Sequence, residues 1–120
     1  MMFLTICGCK SSSDSLKEKF PDLSGNLDIQ QFWFSGLGMD HCYLWAVTSD
    51  SFPTEEALIE SGFEVKENQK GLTSDKHPAW WPDAINLRSM KAYYQNDGTE
   101  FRVIWVDQKP NLYYLTWFNT

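Results

Sequence analysis

The stretch from Met90 to Phe118 narrows the possible fold more than any other part of this chain. It reads as three aromatic-rich runs separated by two turn signals. Met90–Gln95 (MKAYYQ) predicts one strand, and Asn96-Asp97-Gly98-Thr99 predicts a tight turn after it. Phe101–Asp107 (FRVIWVD) predicts the next strand, with Phe101, Val103 and Trp105 on one face. Gln108-Lys109-Pro110-Asn111 predicts a second turn, and Leu112–Phe118 (LYYLTWF) a third strand. Tyr113, Leu115 and Trp117 of that last run face one way, and Leu112, Tyr114 and Phe118 the other. Strands joined by short turns pair antiparallel. The C-terminal quarter is therefore a meander, and the rest of the chain must extend it and cover it.

Two further strands are predicted upstream. Ile29–Ser35 (IQQFWFS) is the first, and Gly36-Leu37-Gly38 connects it to His41–Thr48 (HCYLWAVT). The second run is apolar on both faces: Tyr43, Trp45 and Val47 on one, Cys42, Leu44 and Ala46 on the other. That pattern predicts a central strand covered on both sides. Asp50–Glu56 opens the clearest helix, with Ser51 or Thr54 as N-cap and Pro53 tolerated in the first turn. Glu55 and Glu56 complement the helix dipole, Ala57, Leu58 and Ser61 form a packing stripe, and Gly62 supplies a left-handed stop. Phe63–Lys66 predicts a short edge strand, and Glu67–Ser89 a long loop in which Pro82 opens at most a brief helix through Ile85. The expected fold class is α+β: a curved antiparallel sheet with one main short helix packed on one face.

A chain of 120 residues predicts one domain. Sixteen acids against ten bases give a net charge of −6 with no basic stripe, which disfavours nucleic acid as a partner. Eight Phe, six Trp and five Tyr exceed what a core of this size needs, so part of the surplus points to a recognition surface. Trp80-Trp81, inside the predicted loop and flanked by Pro78 and Pro82, is the leading candidate for binding a partner, expected to be a protein. Trp33, Tyr93, Tyr94, and Tyr113 or Tyr114 are its candidate supports. A competing reading makes the two indoles a lid over the sheet. A second ligand class, carbohydrate or peptidoglycan fragments, requires coplanar exposed indoles beside hydrogen-bonding groups such as Asp83, Asn86 or Gln95.

Catalytic chemistry finds little support in the sequence. Asp40-His41-Cys42 is the one local cluster of reactive types, but on a strand His41 and Cys42 point to opposite faces. Cys42 reads better as a small buried hydrophobe. His77 is the only other histidine, and neither histidine has the spacing of a zinc pattern. No cofactor, metal or catalytic residue is expected, and the domain reads as a binder rather than an enzyme.

The N-terminus carries a separate signal. Ile6-Cys7-Gly8-Cys9 resembles the lipobox of bacterial lipoproteins, with an aliphatic residue three places before the cysteine and a small one directly before it. The resemblance implies that residues 1–8 are the remnant of a signal peptide and that Cys9 carries a diacylglycerol thioether and an N-acyl group. Residues 1–6 supply only the end of the roughly 7–15-residue apolar region of such a signal, so either the true start lies upstream or the match is accidental. Residues 9–15 would then be a lipidated cysteine and a Ser-rich tether, and 16–120 the single folded domain. Lys10, rather than the aspartate associated with inner-membrane retention, points to the outer membrane of the cell envelope, facing the periplasm. Cleavage and acylation would leave Cys42 alone, so no internal disulfide is expected. No apolar run approaches the length needed to span a bilayer.

Overall fold

A computed structural model describes residues 12–23, 27–35, 41–66, 77–107 and 111–119. The lipobox, with Cys7 and Cys9, and the Gly36–Gly38 connection lie outside these residues. Six strands form one antiparallel sheet: β1 (Asp28–Ser35), β2 (Cys42–Thr48), β3 (Glu64–Lys66), β4 (Lys91–Asn96), β5 (Glu100–Val106) and β6 (Leu112–Asn119). Their spatial order is β1-β2-β6-β5-β4-β3. After the β1–β2 pair the chain crosses to the far edge, then returns strand by strand until β6 pairs with β2. The register carries Trp45 opposite Leu115, Leu115 opposite Ile104 and Ile104 opposite Tyr93 on one face. On the other face it carries Leu44 opposite Thr116 and Trp105 opposite both Tyr114 and Ala92.

Each face has its own covering layer. One is formed by α1 (Ser12–Lys19) and α2 (Glu55–Glu60). Leu16 and Phe20, four residues apart, fall on one side of α1 and bury themselves against the sheet, where Phe20 meets Trp45 edge-on at 5.8 Å. Asp14 in the first turn and Lys17 and Lys19 in the last complement the α1 dipole. Arg102 donates from Nε to the Lys19 carbonyl, one of the acceptors a helix C-terminus leaves open, and the Lys19 ammonium lies 3.8 Å from the centre of the Trp117 ring.

Thr54 is the N-cap of α2, its hydroxyl accepting from the Ala57 N–H at 3.2 Å, and Gly62 ends the segment at φ 101°. Leu58 is 2 % exposed. Burying that one leucine is worth about 2 kcal/mol, against about 1 kcal/mol for the cap. Tertiary packing, not helix propensity, therefore holds a six-residue helix in place.

The opposite face is covered by residues 77–90, including α3 (Ala84–Arg88). Asp83 caps it, accepting from the Asn86 N–H at 2.9 Å. Leu87, Met90 and Trp81 pack there against Leu44, Ala92, Val103 and Trp105.

These layers correct two expectations. The sheet is not strongly curled, and three short helices replace one main helix on one face. A curved sheet follows from supposing a single covering element; with both faces packed, the sheet has no single helix to wrap around. The α+β class itself stands, with a six-stranded antiparallel sheet. The Ser-rich stretch expected to be an unpacked tether is helical from Ser12, and Ser15 is buried at 5 % exposure because it sits beside Leu16 at the docked side of α1. In the predicted 67–89 loop, the described part is a packed layer.

Candidate binding cleft

Between the 77–90 layer and the β5–β6 end of the sheet lies an open cleft of about 850 Å³. That is within the usual size of a small-ligand site, roughly 300–1,000 Å³. Three aromatic rings build its apolar part. Trp81 sits at the centre, edge-to-face with Trp80 at 5.8 Å and 77° and with Tyr114 at 5.7 Å and 83°. It also meets Trp105 at 5.6 Å and 87°, which anchors it to the sheet. Trp81 is thus 8 % exposed and part of the core, whereas Trp80 is half-buried and Tyr114 forms a wall from β6.

The polar lining holds two carboxylates and one amide. Asp83 and Asn86 come from the start of α3, Asp107 from the end of β5, and Ser89 and His77 from the flanks of the covering segment. Asp107 is placed by the hairpin, since its N–H donates to the Leu112 carbonyl at 3.1 Å. Burial pushes the Tyr114 hydroxyl above the ordinary tyrosine range, and the nearby Asp107 carboxylate pushes it further. The Asp83 carboxylate is committed to the α3 cap, and His77 Nδ1 lies 3.1 Å from the Pro78 carbonyl oxygen. No lysine or arginine lines the cleft among the described residues.

The structure brings together only part of the predicted set. Trp80, Trp81 and Tyr114 converge, with Asp83 and Asn86 beside them. Trp33 and Tyr94 are on the same face of the sheet, packed against its core rather than lining the cleft. Tyr94 is 6.4 Å from the Phe101 ring, with the Lys66 ammonium 5.6 Å from its own ring centre.

Tyr93 is on the opposite face, 6 % exposed, its hydroxyl donating to Glu55 at 3.0 Å. Tyr113 is also on that face, stacked on Phe52 at 3.8 Å, and Gln95 there donates to the Ser61 carbonyl. Period two in the strands accounts for this split, because adjacent residues such as Tyr93 and Tyr94 cannot share a face. Asp107 is the residue that sequence reasoning missed. Its two-residue spacing from Trp105 places both on one face, and that spacing was the available signal.

The two indoles do not form a flat platform. Their planes are 77° apart, and Trp80 is half-buried while Trp81 belongs to the core. His41 stacks on Phe34 at 5.9 Å on the α1 side of the sheet. Cys42 packs on the other face, its sulfur 3.8 Å from Thr116 Oγ1, and burial raises its pKa. A thiol so placed is a poor nucleophile. Asp40 lies outside the described residues.

Among the described residues no group of three His, Cys, Asp or Glu is placed to hold a metal ion, and no helix is long and apolar enough to cross a membrane. A second, smaller cleft of about 460 Å³, between the start of β1 and Asn111, is lined by Asp28, Thr48, Asp50 and Asn111, with no aromatic ring among the described lining residues. Comparison with family models, curated proteins and solved structures gives no match for this chain.

Proposed function

We propose that this chain is a lipid-anchored envelope protein, attached through Cys9, whose domain binds another protein at the Trp80 cleft. The observation that carries the reading is the cleft itself: aromatic walls fixed by the core, beside the Asp83 and Asp107 carboxylates and the Asn86 amide. Aromatic side chains presented rigidly beside hydrogen-bonding groups are the usual energetic centre of a protein interface. A net charge of −6 favours a basic partner. An inhibitor or immunity-type factor that neutralises a toxin or a cell-wall hydrolase fits this size, charge and location. A structural accessory of an envelope complex is the related alternative. The sugar-binding reading has less to support it, since stacking on successive rings needs the flat pair of indoles that the 77° angle denies.

Affinity capture from detergent-solubilised native envelopes tests the proposal. The wild-type domain should retain a toxin or hydrolase, and Trp80→Ala should retain it about tenfold less well, as loss of an interface hot spot does. Envelope machinery in place of a toxin or hydrolase would favour the accessory role. Equal capture by the variant would move the binding surface elsewhere. Mass spectrometry of the protein from native membranes tests the anchor, and an unmodified Cys9 thiol would remove it.

A further inference from the structure

The cleft also constrains which chemical group it accepts. Trp81 stands nearly at right angles to both Trp80 and Tyr114, so the three rings wall a compact space instead of paving a plane. A ring face is the negative pole of an aromatic quadrupole and attracts a cation placed over it. Here the half-buried Trp80 lines the same cleft as Asp107 and Asp83, the latter with one oxygen on the α3 cap, and among the described lining residues His77 is the one basic side chain, with no lysine or arginine. Tyr114 adds a neutral hydroxyl, since burial and then the Asp107 carboxylate raise its pKa. Shape, ring orientation and charge all select one kind of guest.

We propose that the Trp80 cleft is a receptor for a basic side chain of the partner protein, specifically the guanidinium of an arginine. Its planar group stacks on an indole while its N–H groups reach toward acidic oxygens, which a point-charge ammonium does less well. This inference rests on the reading of the cleft as a protein-binding site and adds the identity of the recognised group.

The test uses the intact domain and small probes. N-acetyl-arginine amide is titrated against the Trp80 indole N–H resonance and tryptophan fluorescence, with the neutral isostere N-acetyl-citrulline amide and N-acetyl-lysine amide run in parallel. The arginine probe should shift the Trp80 signals, and the citrulline probe should bind about tenfold more weakly or not at all, the difference expected of a cation–π contact supported by charge. The lysine probe should fall between them.

Trp80→Ala, read on the neighbouring Trp81 indole N–H resonance, should abolish the response. Because that variant changes packing, Asp83→Asn with Asp107→Asn provides an independent check. Asparagine caps a helix as well as aspartate, so α3 is kept while two charges leave, and arginine binding should fall and lose most of its salt dependence.

Equal binding of citrulline and arginine overturns the cationic guest. So does silence of every probe when Trp80-dependent capture of an envelope protein persists; the cleft reading would survive that result. Capture that does not depend on Trp80 removes the cleft reading and this inference together.

Discussion

At the scale of single residues, Gly62 and Gly98 pose a controlled comparison. Both hold positive φ, at 101° and 106°, where a side chain is strained. A Cβ on Gly98 would meet nothing within 4 Å, whereas one on Gly62 would lie 2.8 Å from Gln95 Nε2. That nitrogen donates to the Ser61 carbonyl at 3.1 Å and ties the end of α2 to β4. Gly98→Ala should therefore lose about 1 kcal/mol from backbone strain alone. Gly62→Ala should lose that plus about 1 kcal/mol for the displaced hydrogen bond. Urea unfolding of the two variants measures the difference, and equal losses would show that the Gln95 amide moves aside without cost.

Elements are held here by contacts between them more than by their own sequences, and α2 shows how. Glu55 in its first turn accepts from the Tyr93 hydroxyl and lies 2.5 Å from the Lys91 ammonium, both on β4. The Lys91 hydrogen bond, then that from Tyr93, hold the Glu55 carboxyl below the usual glutamate range. Tyr93 moves the other way, pushed up to about 12, first by burial and then by its bond to Glu55. A depressed carboxylate stabilises the fold above its unfolded-state value, and that contribution is lost as pH falls through the folded-state value. A raised tyrosine stabilises it below the unfolded-state value, and the contribution is lost as pH rises toward 12. Glu55→Gln keeps an acceptor for Tyr93 but cannot titrate. Its urea midpoint should therefore drop less than that of the wild type between about pH 7 and about pH 3. Parallel profiles would mean that the α2–β4 contact does not sense the Glu55 charge.

The same dependence on contacts explains what was legible at this scale. Strands β4, β5 and β6 were readable because alternation and the Asn96–Thr99 turn are local signals; the loop between Asn96 and Glu100 is closed by Asp97 accepting from the Glu100 N–H. Helix α3 was not readable as a packed element, since a five-residue helix that docks through Leu87 carries almost no periodic signal. Helix α1 was hidden for a related reason: its serines have weak helix propensity, and its docking depends on Arg102, more than eighty residues away. In the cleft, the Trp80-Trp81 pair was conspicuous by composition. Tyr114 stood among its candidate supports level with Tyr113, and Asp107 was signalled only by its two-residue spacing from Trp105; the choice of Tyr114, like the separation of Tyr93 from Tyr94, follows from strand alternation.

For the whole molecule, the position of α1 matters as much as its packing. The domain measures 39 × 30 × 28 Å, and its first described helix begins at Ser12. If Cys9 carries acyl chains, three peptide steps separate the lipidated residue from that helix. Even fully extended they span no more than about 11 Å, less than half of the domain's smallest dimension. A seven-residue coil over 9–15 would have let the domain rotate freely, but four of those residues are helix. The anchored domain should therefore lie against the bilayer surface, leaving a protease no room to reach the chain between anchor and fold. Protein purified with its lipid and reconstituted into vesicles should resist release by limited proteolysis until the domain unfolds. A Gly/Ser insert of about ten residues after Ser11, reaching roughly 15–20 Å on average, should make release fast under native conditions while leaving the unfolding midpoint unchanged. Equal release rates for the two proteins would mean that α1 opens readily from the sheet, and that the buried Leu16 and Phe20 contacts do not hold the domain to the membrane surface.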